Sequence, residues 1–123
     1  MEIDRIFTQI HMENDINKAV DELTALNDFL NGLSTKPTKD VIETLSQKNP
    51  DYIEAVSSTG VMPERTLDLV MDYGIWSLFR LRSIYEPVWD KAIEVYYEKS
   101  SAYKGTQMIK AIWTHVEMVI KNP

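Results

Sequence analysis

An all-helical fold is what this sequence predicts: a compact bundle of five to seven helices around a central hydrophobic helix near residues 64–85, without β-sheet. Three observations carry it. The run ERTLDLVMDYGIWSLFRLRSIY, Glu64 to Tyr85, is of helix length and apolar at nearly every helical angle. Elsewhere apolar residues recur three and four apart rather than alternating with period two. Proline, glycine and short polar clusters then divide the chain into helix-sized pieces.

In the central run, Leu67, Val70, Met71, Gly74, Leu78 and Leu81 share one face, while Leu69, Tyr73, Trp76, Phe79 and Ile84 put apolar bulk on others. A helix hydrophobic all round is a buried one, so this segment is expected to be wrapped by the rest. Gly74 costs a helix about 1 kcal/mol relative to alanine, which is best tolerated where a second helix must come close.

The remaining elements follow in order. Ile3, Ile6, Phe7 and Ile10 mark a short amphipathic helix, and the polar stretch His11 to Asp15 shifts the apolar phase, predicting a break there. Ile16, Ala19, Leu23, Leu26, Leu30 and Leu33 then keep a strict 3-4 spacing, a face suited to a neighbouring or dimer-related helix. Gly32 and the segment Ser34 to Thr38 end it. Thr38 is placed to cap a helix carrying Val41, Ile42 and Leu45, and Asn49-Pro50-Asp51 reads as cap, first-turn proline and first-turn acid of the next. Residues 57–63, SSTGVMP, form the clearest loop and a candidate hinge within one helical domain spanning 1–123. Pro63 is expected to open the central helix, and Glu86 before Pro87 to close it. A further helix runs through Trp89, Ala92, Ile93, Tyr96 and Tyr103 to Gly105. Thr106 is placed to cap the last, which carries Ile109, Ile112, Trp113, Val116 and Ile120.

Composition narrows function. The 123 residues include no cysteine, which removes disulfides, thiolate metal sites and thiol chemistry and fits a reducing, cytoplasmic setting. The first residues, MEIDRIF, carry acids where a secretory signal would carry bases, and the longest uncharged run, Ala55 to Pro63, is too short to span a bilayer. No membrane association is expected. Of the net charge of −6, all lies in residues 1–62, with 11 acids against 5 bases, while residues 63–123 are balanced at 8 and 8. The acidic half is a poor match to phosphate, so direct nucleic-acid binding is not expected.

Catalytic motifs are missing. The four glycines are isolated, so no phosphate loop can be built, and neither GxSxG nor HExxH occurs. His11 with Asp15, and His115 near Glu117, lack the spacings of helical metal sites. Asp68 and Asp72, one turn apart, read as exposed acids on the polar stripe of their helix. No catalytic, cofactor or metal site is therefore assigned. One constellation rises above background: Trp76, Phe79, Arg80, Arg82, Tyr85, Trp89 and Tyr96, with Tyr97, combine arginine with the aromatics enriched at protein interfaces. Core packing with local ion pairs, a partner surface and an anion pocket are its three readings.

The leading expectation is a non-enzymatic helical interaction or assembly protein that self-associates through Ile16, Leu23, Leu26 and Leu30 and binds a protein partner through the Trp76–Tyr96 cluster. One alternative is an acidic inhibitor or decoy, of the phage or immunity type, that fills a basic groove on its target. Another is a bundle enzyme or anion-binding protein holding its ligand with Arg80 and Arg82 and moving protons with Asp68, Asp72 or His115.

Overall fold

Between Glu2 and Asn31 the chain has neither proline nor glycine, and its backbone stays helical from Glu2 to Ser34 as helix α1. The computed structural model describes residues 2–59, 62–103 and 105–121, with the side chains of 2–11 and of 59 outside that description. The break expected at His11 to Asp15 is absent. A polar stretch changes what a helix faces; interrupting its hydrogen bonds takes a proline, a glycine or an inserted group. Met12 to Asp15 are exposed, Ile16 is half-buried, and from Ala19 onward α1 buries Ala19, Val20, Leu23, Asn27, Leu30 and Leu33. The side chains of Ile3, Ile6, Phe7, Ile10 and His11 fall outside the described residues.

Five further helices follow: α2 (Thr38–Lys48), α3 (Pro50–Thr59), α4 (Thr66–Ile84), α5 (Trp89–Ser100) and α6 (Met108–Lys121), with a 3-10 turn at Glu86–Val88. No strand occurs among the described residues, and the fold is an all-α bundle. Asn49 and Pro50 start α3 as their sequence requires. Residues 57 and 58 of the expected loop are helical, and Gly60 and Val61 are outside the described residues.

Several helix ends are held by distant side chains rather than by the caps expected. Pro37, not Thr38, occupies the N-cap of α2, and the Thr38 hydroxyl instead meets that of Thr66 at 2.9 Å, which in turn donates to the Lys36 carbonyl. The start of α2 is thereby tied to the start of α4. Helix α4 opens at Thr66 with Arg65 as its N-cap, so Pro63 precedes the helix instead of forming its first turn. At the far end α4 stops at Ile84, as Pro87 demands, and the chain turns through the 3-10 segment into α5. Tyr103 lies beyond α5, its hydroxyl donating to Asp28 Oδ1 at 2.8 Å. Thr106 does not cap α6. Asn27, from the middle of α1, does so: its Oδ1 accepts the Ile109 N–H at 3.1 Å while its Nδ2 donates to the Thr106 carbonyl at 3.1 Å.

Helix α4 is central to the bundle, and α1 shares that place with it. Helix α1 packs on α4, α5 and α6, and α4 adds contacts with α2 and α6. Gly74 marks the crossing. A Cβ there would stand 2.7 Å from Ile112 Cδ1 and 3.2 Å from Leu30 Cδ1, so α1, α4 and α6 meet at the close approach its sequence position predicts. Leu30 lies opposite Gly74 while Glu22 lies beside Tyr85, so α1 and α4 run antiparallel. Gly74 faces Ile112, and Arg82 shares a groove with Glu117 and Ile120, so α4 and α6 run parallel and finish at the same end.

Helix α4 is not buried all round. Its core face is Leu69, Val70, Tyr73, Gly74, Ser77 and Leu78; Met71 and Leu81 are half-buried, and Leu67, placed on the core face by its spacing, is 58 % exposed. Phe79 and Ile84 are exposed as well, at 42 % and 59 %. The apolar residues that made the segment look wholly interior serve surfaces on two sides.

Candidate functional site

Arg80 and Arg82 stand two residues apart on a helix, which turns their side chains to nearly opposite sides. The arginine–aromatic cluster accordingly splits into two sites.

Arg80 faces a groove of about 350 Å³ between α1, the α2–α3 corner and α4. Its apolar wall is Leu26 and Phe29 from α1 and Trp76, Leu81 and Ile84 from α4; its polar rim is Glu22, Lys48, Asn49 and Arg80. An aromatic array supports the wall. Tyr73 meets Phe29 edge-on at 5.8 Å and Tyr52 at 5.1 Å, Tyr52 meets Trp76 at 5.4 Å, and Trp76 stacks on Tyr73. Two hydrogen bonds lock this array to the corner: Asn49 Nδ2 donates to the Tyr73 hydroxyl, and the Tyr52 hydroxyl donates to Asp72 Oδ2 at 2.5 Å. Burial, then the Asp72 carboxylate, push the Tyr52 hydroxyl far above its ordinary range.

Both cations of the groove sit on aromatic rings. Lys48 Nζ is 3.9 Å from the Phe29 centroid, and the Arg80 guanidinium carbon is 5.5 Å from the Trp76 ring. Neither forms an ion pair among the described residues, where the two ion pairs are Lys91–Glu94 at 3.5 Å and Lys121–Glu117 at 3.3 Å. Glu22, the one acid on the rim among the described residues, faces Tyr85, whose hydroxyl is raised by burial and then by Glu22 and Asp15. Ser77 lines the same groove, and its buried Oγ has no hydrogen-bond partner among the described residues.

Arg82 belongs to the opposite side. It lines one groove with Asp90, Ile93, Trp113, Glu117, Ile120 and Lys121, and a second with Phe79, Ser83 and Glu86. Phe79, Arg82 and Ile120 are thereby joined in one surface at the end of the bundle where α4 and α6 finish. The charges around the first groove are two of each sign, in a chain of net −6.

Two members of the cluster leave the surface altogether. Trp89 and Tyr96 are each 3 % exposed: Trp89 packs edge-on against Trp113 at 5.3 Å, and Tyr96 lies in the core with its hydroxyl pushed up to about 12 by burial and then by Asp28. Neither offers a face to a partner. Of the self-association set, Leu23 and Leu30 are fully buried inside the chain's own core, and Ile16 and Leu26 are half-buried against it. The 3-4 spacing there is satisfied by α4, α5 and α6. His115 is exposed, Asp68 is exposed, and no group of three or more potential metal ligands gathers among the described residues.

Lys48, Phe29 and Ser77 are not singled out by their sequence, because they reach the groove from three places along the chain, and Tyr52 supports its wall from behind through Tyr73 and Trp76. Only the one-turn spacing of Trp76 and Arg80 was visible in advance.

Comparison with protein families, with characterised proteins and with solved structures finds no match to this chain. Among the described residues no helix is long and apolar enough to cross a membrane.

Proposed function

We propose that this chain is a non-enzymatic interaction protein that associates with a second copy of itself through the end of the bundle formed by α4 and α6. The observation that carries this reading is an apolar stripe that outlasts the core. On α6 the buried face is Ile109, Ile112, Trp113 and Val116. Three and four residues beyond Val116, where the same face continues, stand Val119 and Ile120, 57 % and 45 % exposed. Phe79 joins them through Arg82. Apolar surface of this kind gains about 25 cal/mol for each Å² removed from water.

A second copy is the occupant the charges favour. Like-charged chains of net −6 repel least where their surfaces are least charged, and Arg82 and Lys121 against Glu86, Asp90 and Glu117 leave this patch with charges of both signs and a net of only −1. A two-fold arrangement sets each copy's Arg82 against the acids of the other. A cytoplasmic setting goes with this reading, since a cysteine-free chain needs no oxidising compartment.

Amide chemical shifts followed over increasing concentration test the assignment. The expected result is concentration-dependent movement at Phe79, Arg82, Val119 and Ile120, abolished by Arg82→Glu with unchanged thermal stability. Shifts that stay fixed at all concentrations, or that move only on α2 and α3, would refute it.

A further inference from the structure

The Arg80 groove lies apart from the proposed association surface, and we infer that it is a binding site for a small apolar monocarboxylate, whose carboxylate is held by Arg80 and Lys48 and whose hydrocarbon body rests on Phe29 and Trp76. Three features converge on that ligand, the first being the cavity and its wall. The cavity, about 350 Å³, falls at the small end of the range of about 300–1,000 Å³ typical of small-molecule sites. Its wall is apolar and preformed, because the Phe29–Tyr73–Tyr52–Trp76 array is fixed by the Asn49–Tyr73 and Tyr52–Asp72 hydrogen bonds. A ligand entering it does not have to order the wall first.

The charges are the second element. In a chain with 19 acids and 13 Lys and Arg, Lys48 and Arg80 are held over aromatic rings without an acidic partner among the described residues. Ring faces orient a cation without neutralising it, so both remain available to an anion. Arg80 offers the planar fork that fits a carboxylate at two points, and Lys48 adds a point charge. Glu22 stands on the same rim and opposes a second negative charge, which selects a ligand with one carboxylate over one with two.

Ser77 supplies the third observation. Thr24, Ser46 and Thr114 each donate to the carbonyl four residues back in their helices, the usual arrangement for such hydroxyls. The Ser77 Oγ makes no such bond; it is buried on the groove wall with its hydrogen-bonding capacity unused. An unpaired buried hydroxyl lowers stability, and although the Oγ itself is closed off from the groove, rotation about its single Cα–Cβ bond would turn it into the groove, where a polar ligand atom would supply the missing partner.

Isothermal titration of the intact chain with octanoate and with 3-phenylpropionate, beside their neutral amides and acetate, tests the inference, with the difference in tryptophan fluorescence between the parent and Trp76→Phe as the local readout. The aliphatic and aromatic arms show which hydrocarbon body the wall prefers. Expected is saturable binding of at least one carboxylate, at least about 10-fold tighter than its amide and than acetate. Arg80→Gln and Lys48→Gln, both at exposed positions, should each weaken it about 10-fold, and Glu22→Gln should strengthen it. Ser77→Ala should raise the melting temperature while weakening binding; a purely structural serine would give the first effect without the second. No saturable binding by either carboxylate, equal binding of the amides, or undiminished binding in the Arg80→Gln/Lys48→Gln double variant would overturn the inference. Arg82→Glu, on the other side of α4, should leave carboxylate binding unchanged whether or not the chain self-associates.

Discussion

Asn27 shows how one side chain sets a helix boundary 80 residues away. It is 2 % exposed, and both ends of its amide are used, one on the Ile109 N–H and one on the Thr106 carbonyl. Asn27→Leu keeps the branched outline and heavy-atom count of the side chain but strands a buried donor at the start of α6; it is expected to lower unfolding free energy by about 2–4 kcal/mol in urea melts. Gly74 makes the opposite point. The atoms its Cβ would meet are the free ends of Ile112 and Leu30, which can swing aside. Gly74→Ala is therefore expected within about 1 kcal/mol of the parent, the gain in helix propensity offsetting the repacking, whereas Gly74→Val should lose about 2–3 kcal/mol. Equal losses in the two variants would mean that the helices cannot shift at all.

The buried tyrosines set an alkaline limit. Tyr96 is raised from 10.0 to about 12, and Tyr52 is raised further, burial being the first cause for both. A hydroxyl whose folded value exceeds its unfolded one stabilises the fold fully below pH 10. The contribution is lost as pH climbs through 10 toward the folded value, at up to about 1.4 kcal/mol per pH unit for each group. Melting temperature should hold to about pH 10 and then fall, and Tyr52→Phe should make that fall shallower.

Among the elements, what the sequence made legible was whatever depends on neighbours in the chain. The starts of α3 at Asn49-Pro50 and the end of α4 before Pro87 follow from proline geometry, and Gly74 from the penalty a helical glycine must offset. What it hid depends on distant partners. Thr106 and Thr38 have the chemistry of local caps, but Asn27 and Thr66 reach those ends from other helices. Leu67 fits the core spacing of α4, yet the true face is rotated toward Tyr73 and Ser77 because α1 and α6 approach from that side. The polar stretch His11 to Asp15 reads as a break and is continuous helix, exposed from Met12 to Asp15. Tying α2 to α4 through hydroxyls implies a specific cost: Thr66→Val should lose about 1–2 kcal/mol, while Thr35→Val, whose hydroxyl is exposed and bonds only to Gly32, should change little.

At the scale of the whole molecule, the candidate site was half legible. Arginine beside tryptophan was visible, but the two-residue spacing of Arg80 and Arg82 divides one apparent cluster into a ligand groove on one side and an association surface on the other. Trp89, Tyr96, Leu23 and Leu30 looked equally suited to a partner and are consumed by the chain's own core. A small bundle with two long central helices needs that much apolar side chain for itself, so residue type alone does not separate core from interface. Continuity does: a buried stripe that runs on past the last packed turn, as Val116 does into Val119 and Ile120, is left about half exposed by the described residues.

Light scattering coupled to size-exclusion chromatography, run over a wide concentration range on the parent chain and on Ile120→Lys, measures that claim directly. The parent should approach twice the 14.2 kDa chain mass at high concentration, and Ile120→Lys should remain at the single-chain mass with an unchanged melting temperature. A parent that stays at the single-chain mass throughout, or a variant that associates as the parent does, would contradict it.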